Sequence, residues 1–292
     1  DVYKRQGLPL PSGGAGGFTD ALAASARALG AEIRCSQTVE KVLVEDMRAC
    51  GVQLAGGEEI RATEVISNAD PKTSFLTLLG AQHLDVQFTH RINRLRNQGY
   101  VAKLHLALEG LPQFAGLNNP EGRMILAPSM KHIECAFDEA KYGAYASELP
   151  MEVIIPSLVD DSLAPADKHV LSANVQYAPY AVKGGWENHR QQFLDNAVKS
   201  LEQYAPGIGA LISGSELLTP VDLEAQFHVA GGHWHHAEFA IDNWWMNRPT
   251  YGASQYKTPV PGFYLCGAGA HPGGGLMGTC GANAARAILE DR

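Results

Sequence analysis

The chain has 292 residues, 45% of them hydrophobic, and carries 31 acidic against 23 basic side chains for a net charge of −8. That length and composition allow one large domain or two small ones with a sizeable core. The acidic balance excludes a nucleic-acid binder, whose affinity rests on basic surface, and no apolar run approaches the ~20 residues that span a bilayer.

The first six residues, DVYKRQ, show no pattern joining them to the rest of the chain, which starts at Asp1 rather than Met. They are read as a cloning or assembly remnant. A glycine-rich run, Pro11-Ser-Gly-Gly-Ala-Gly-Gly17, leads into a predicted helix from Phe18 to Leu29, with Thr19 and Asp20 at its start and Gly30 as its stop. Strands are expected at Glu32–Cys35 and Thr38–Val44. Gly51–Leu54 and Glu59–Ala62 flank Gly56-Gly57 as a hairpin, and Glu64–Ser67 is a further short strand. Asn68-Ala-Asp-Pro71 marks a boundary, with Pro71 opening a helix through Leu79.

From Gly80 the composition changes, and His83, His90, Arg91, Arg94 and Arg96 make a polar, basic helix. Strands follow at Val101–Leu108, Arg123–Ala127, Glu152–Pro156 and Val170–Tyr177, with helices at His132–Lys141 and Glu187–Tyr204. This is the pattern of an α+β sheet covered by helices on one side. In the first of these strands Leu104, Leu106 and Leu108 form a core face, while Lys103, His105 and Ala107 are left to line a pocket.

His228, His233, His235 and His236, with Glu238 and Asp242, are metal-ligand residue types. The segment contains no H-E-x-x-H, and adjacent His235 and His236 would point to opposite faces of an extended chain. No metal is therefore assigned; a structural cluster and a ligand-facing loop both stay open. Trp186, Trp234, Trp244, Trp245, Phe227, Phe239, Tyr251 and Tyr256 suit either core packing or a cleft for an apolar molecule. The five cysteines (Cys35, Cys50, Cys135, Cys266, Cys280) show no C-x-x-C spacing and read as free thiols in a reducing compartment, cytoplasmic or peripheral to a membrane.

The most informative stretch comes last. Phe263–Cys266 is a short apolar strand; it becomes a glycine-rich turn and ends as a helix of small residues. Gly273, Gly274 and Gly275 carry no side chain to block a flat ring. The N–H groups around Gly275, Leu276 and Met277 would face an electron-rich carbonyl at the positive end of the helix. A flavin fits this chemistry, because the reduced ring gathers negative charge near N1 and the C2 oxygen. The alternative is a tight strand-to-helix turn with no ligand. His271, inside the turn, has either a geometric or an acid–base role.

The run CGAGAHPGGGLMGTCGANAAR resembles the carboxy-terminal flavin motif of phytoene desaturase-like and carotenoid isomerase-like FAD oxidoreductases. It is most similar to the group called pyridine nucleotide-disulfide oxidoreductase domain-containing protein 2. The Pro11–Gly17 run, Val65-Ile-Ser-Asn-Ala-Asp-Pro71 and Gly232–Asp242 with Met246-Asn-Arg-Pro249 resemble the family's other segments in the same order. The resemblance implies FAD contacts at Val39, Asn68, Gly267, Ala268, His271, Pro272, Gly273, Gly274, Gly275, Leu276 and Met277. It names no certain base; His271 and His235 are the candidates. No G-x-G-x-x-G fingerprint for the pyrophosphate occurs. The chain is therefore read as the carboxy-terminal part of a longer flavoprotein, expected by itself to bind FAD weakly or not at all.

The expected fold class is α/β with an α+β substrate domain. Residues 7–79 and 250–292 would form a partial FAD/NAD(P)-binding, Rossmann-like domain, and residues 80–249 the substrate domain. The expected function is an FAD-dependent oxidoreductase of desaturase, dehydrogenase or isomerase type, acting on a small apolar substrate by hydride transfer to flavin N5. A non-catalytic interaction or regulatory protein of the same descent is the alternative, and a metal hydrolase built on the histidines is a third. Peripheral membrane contact stays open.

Overall fold

The computed structural model describes residues 13–275 and 278–291. In chain order these form α1 (Gly14–Ala28), β1 (Val39–Glu45), β2 (Arg48–Leu54), β3 (Glu59–Arg61), β4 (Val65–Ser67), a π-helical segment (Thr73–Gly80) and α2 (Val86–Asn93). There follow β5 (Val101–Leu108), β6 (Met124–Leu126), α3 (Met130–Lys141), β7 (Met151–Ile154), β8 (His169–Gln176), α4 (Trp186–Glu202) and α5 (Ile208–Leu211). The last elements are β9 (Ile212–Leu218), α6 (Pro220–Phe227), β10 (Phe263–Leu265) and α7 (Thr279–Glu290). They divide into two units, one running to Ile33 and resuming over Tyr100–Asp222, the other comprising Arg34–Gly99 and the chain from Leu223 onward.

In the first unit the alternation of β5 is realised as expected. Ala102, Leu104, Leu106 and Leu108 are at most 1% exposed and share a core with Leu171, Ala173 and Val175 of β8 and with Phe193, Ala197 and Leu201 of α4. Each large apolar side chain buried this way contributes roughly 1.5–3 kcal/mol. The sheet is five-stranded and antiparallel, in the order β6-β7-β8-β5-β9. On the other face of β5, Lys103 donates to Asn174 across the ladder at 3.0 Å. Burial lowers the pKa of Lys103 and, with the Lys103 charge beside it, that of His105. The strand β9 was not expected, because four successive residues in it are exposed and it lacks the alternation of a half-buried strand.

Two local expectations are corrected. The first helix begins at Gly14, not Phe18: the Thr19 hydroxyl donates back to the Gly16 carbonyl at 2.8 Å, an interior-helix pattern, rather than capping the start. Gly13, in the left-handed region at φ 79, stands at the cap and donates its N–H to Asp160 at 2.8 Å. Glu32–Cys35 forms no strand; all four residues are exposed and gain no packing from an extended ladder.

The second unit contains the antiparallel sheet β1-β2-β3, with the expected turn at Gly56-Gly57. It also contains a parallel pair, β4 with β10, in the register Val65↔Phe263 to Ser67↔Leu265. Asp70 starts the following helical segment by accepting from the Lys72 and Thr73 N–H groups at 2.9 and 3.2 Å. Phe75 packs edge-on against Phe88 of α2 and Phe263 of β10, with centroids 4.9 and 5.9 Å apart. Phe88, Ile92, Ala237 and Ala253 share this core. The unit borders therefore fall at 33/34, 99/100 and 222/223 rather than at 79/80 and 249/250.

Candidate functional site

The strands β4 and β10 end together. The Cys266 N–H donates to the Ser67 carbonyl at 2.9 Å, which brings Asn68 beside Gly267. The approach is so close that a Cβ on Gly267 would lie 2.4 Å from the Asn68 carbonyl oxygen. The chain then folds back through Ala270 N–H to Gly267 and Gly273 N–H to Ala270 bonds of 2.9 and 2.8 Å. Gly278, at φ 64, precedes α7. These segments enclose a cleft of about 400 Å³ lined by Asn68, Cys266, Gly267, Ala268 and Gly273–Gly275, by the helix start Gly278–Gly281, and by His236.

The start of α7 has no side-chain cap, and its first intrahelical bond runs from Ala282 to Gly278 at 3.0 Å. The N–H groups of Thr279, Cys280 and Gly281 are thus left without a helical acceptor at the positive end of the helix dipole. The space beside Gly281 is open. A flat group whose edge carries carbonyl oxygens fits such a lining: bare backbone, small residues, and main-chain donors where negative charge gathers.

Three side chains hold the turn in place. Arg248, 1% exposed, donates from Nε to the Ala268 carbonyl at 3.0 Å and from Nη2 to the Ala237 and His235 carbonyls. Its guanidinium also stacks 4.4 Å above the Phe239 ring. Tyr256 donates to the His271 carbonyl at 2.8 Å and accepts from Asn283 of α7 at 2.7 Å. The Cys280 thiol donates to the Gly273 carbonyl at 3.2 Å.

The histidine segment packs on the same turn. A Cβ on Gly274 would lie 3.0 Å from His235 Nδ1, and one on Gly269 would lie 3.5 Å from His236 Cβ. His235 and His236 therefore do not splay as in an extended chain; His236 takes a left-handed φ of 64°, and both residues meet the glycine turn. Burial pulls His233 down to about 4 and lowers His235 and His236, with the Arg248 charge adding to each. All three are neutral at pH 7, and their Nδ1 atoms are buried without a hydrogen-bond partner among the described residues. Among the described residues no three His, Cys, Asp or Glu side chains converge to hold a metal.

The cleft unites Asn68, Gly267, Ala268, Gly273, Gly274 and Gly275. Val39 lies elsewhere, half-buried on β1 opposite Leu54. His271 and Pro272 belong to the turn without lining the cleft, while His235 stands behind Gly274. Leu276 and Met277 lie outside the described residues. Arg248 and Cys280 were not singled out as site residues from sequence; His236 and Tyr256 were named only within the histidine and aromatic groups. The signal for Arg248 was a cation set between aromatics and the terminal motif, in Trp-Trp-Met-Asn-Arg-Pro.

Residues 3–289 match the family described as flavin containing amine oxidoreductase. The chain is 40% identical over 294 residues to the rat (Rattus norvegicus) protein called pyridine nucleotide-disulfide oxidoreductase domain-containing protein 2, covering 96% of this chain and 50% of that one. It is 26% identical to the neurosporene-forming phytoene desaturase of Cereibacter sphaeroides, covering 96% and 53%. An oxidoreductase crystal structure from Methanosarcina mazei superposes with a TM-score of 0.56 at 19% identity, covering 96% of this chain and 55% of that one, which shows the shared fold. The chain spans about half the length of the curated relatives it matches.

Proposed function

The chain belongs to the flavin-containing amine oxidoreductase family, and from that premise we propose that it is part of an FAD-dependent oxidoreductase of desaturase, dehydrogenase or isomerase type that acts on a small apolar substrate. FAD is the family's cofactor, and when bound it supplies a hydride acceptor at N5. The single observation that carries the assignment is the cleft where β4, β10 and the start of α7 meet, since it joins a glycine wall to uncapped helix N–H groups.

In this reading the backbone of Gly267, Ala268 and Gly273–Gly275 provides a wall against which a ring can lie flat. The N–H groups of Thr279 to Gly281 favour negative charge on that ring. Arg248 and Tyr256 keep wall and helix in register. The neutral histidines and the small, tightly packed residues give surroundings suited to excluding water from an apolar substrate. The unit from Arg34 to Gly99 and from Leu223 onward takes the cofactor role, because every cleft residue belongs to it. The unit of the five-stranded sheet takes the substrate role.

A hydrocarbon substrate is favoured by the relative named phytoene desaturase. A cytoplasmic location, or one peripheral to a membrane, is consistent with free cysteines and with Ile241, Trp244 and Met246 standing exposed in one segment. Among the described residues no helix is long and apolar enough to cross a membrane. The test is anaerobic mixing of the FAD-loaded full-length protein with polyenes, cyclic terpenes and amines in turn. Bleaching of the visible flavin band by a hydrocarbon supports the apolar-substrate reading. Bleaching by amines alone refutes it, and bleaching by none of them removes the support for a catalytic role.

A further inference from the structure

We propose that Arg248 is the fixed cation of the flavin subsite, a positioning residue that pins the His235–Glu238 segment to the glycine turn and biases a bound flavin toward its reduced, negatively charged form. The inference rests on the reading of the cleft as the flavin site.

Arginine is almost never fully buried without a charged partner, yet Arg248 is 1% exposed. Among the described residues no carboxylate pairs with it. Its donors are spent on main-chain carbonyls instead: Ala268 at 3.0 Å, Ala237 at 3.2 Å, Glu238 at 3.4 Å, and His235. Every guanidinium nitrogen has a main-chain partner; the charge has no carboxylate. Burying such a charge costs several kcal/mol unless an opposite charge offsets it.

The place of the charge indicates what the offset is. Ala268, whose carbonyl takes Nε, lines the cleft, and Nε lies 3.8 Å from where a Gly273 Cβ would stand, in the same wall. The titratable groups around it do not neutralise it. His233, His235 and His236 are uncharged at pH 7, and Cys280 is engaged as a thiol donor. Asp70 acts on His236 but makes no ion pair with Arg248. Burial brings the guanidinium down to about 10, which leaves it charged at neutral pH. The remaining candidate for the negative partner is a cleft ligand that gains negative charge, as a flavin does on reduction.

The experiment is the midpoint potential of FAD in the full-length protein, with Arg248→Met and Arg248→Lys variants. A unit charge acting over roughly 10 Å of protein changes the preference for a reduced anion by about tenfold, which is about 30 mV for a two-electron couple. Arg248→Met is expected to lower the potential by that amount with flavin still bound. An unchanged potential in a folded, flavin-bearing Arg248→Met protein overturns the proposal. Arg248→Lys covers the case in which the methionine variant does not fold. It keeps the charge at neutral pH, so its preference stays within about threefold of wild type; a buried ammonium then loses its proton before a guanidinium does. The potential of Arg248→Lys should therefore drop below the wild-type curve by up to about 30 mV as pH rises toward about 9, before the guanidinium at about 10 is lost, and parallel curves over that range overturn the proposal. A wild-type full-length protein that takes up no flavin is a separate outcome, overturning the reading on which the proposal rests.

Discussion

The two units are held together by different means. The five-stranded unit is built on side-chain volume: an alternating strand delivers leucines and alanines to one face, and α4 covers them with Phe193, Ala197 and Leu201. The cleft in the other unit is built on backbone approach. Gly267, Gly269, Gly273 and Gly274 each sit where a Cβ would come within about 3 Å of a neighbour, and the buried Arg248 and Tyr256 spend their polar atoms on main-chain carbonyls. The first design tolerates surface change and suffers from lost volume; the second suffers from one added methyl group.

That contrast can be broken in four ways. The largest effect is expected in the sheet unit, where Phe193→Ala should cost about 3–5 kcal/mol in urea unfolding and leave the cleft unit's binding properties intact. A loss below about 1 kcal/mol would mean that volume is not what holds the sheet.

The second test uses pH. His233 is lowered from 6.5 to about 4 by burial, so the unfolded chain binds its proton first. The stabilisation is complete above pH 6.5 and is lost as pH falls toward 4. At 1.36 kcal/mol per unit this single group contributes up to about 3 kcal/mol. His233→Gln should flatten the stability profile between pH 7 and pH 4, and an unaltered slope would show that His233 is hydrated in solution.

The third test adds the methyl group. Gly267→Ala must push Asn68 away from the turn and should cost about 1–3 kcal/mol, with a larger fractional loss of FAD affinity than of stability. Equal FAD affinity would show that the junction of β4 and β10 is not part of the cofactor wall. The smallest effect belongs to Tyr256→Phe, which removes one hydrogen bond from the turn and one from α7 at about 1 kcal/mol. It should appear as faster amide exchange at Gly273 and Cys280, with protection in β5 and β8 unchanged.

The sequence made the sheet unit readable because a half-buried strand carries its own period: β5, β6, β7 and β8, with α3 and α4, lie within a few residues of the expected spans. Two elements were misread for opposite reasons. β9 is exposed over Ser213–Glu216 and so has no alternation to detect, and Glu32–Cys35 has an alternating composition but no packing to use it. In the cleft unit the glycines could be read from the string, since three in succession before a small-residue helix have few other uses. What they lie against could not. The pairing of β4 with β10 spans nearly two hundred residues of sequence and places Asn68 at Gly267, while Arg248 looked like one polar residue in an aromatic stretch. The burial that gives Arg248 its meaning exists only once the turn and the histidine segment have folded around it.

The most direct test of the central claim, that the glycine turn and the start of α7 form the flavin wall, is the visible spectrum of the full-length protein beside its Gly274→Trp variant, both purified with FAD present. A Cβ at Gly274 would already lie 3.0 Å from His235 and 3.1 Å from Ala268, and Gly274 lines the cleft, so an indole there would intrude on the cofactor's space. The account predicts flavin bands in the wild type and their loss in a Gly274→Trp protein with unchanged far-ultraviolet circular dichroism. Equal flavin content in the two proteins would contradict it.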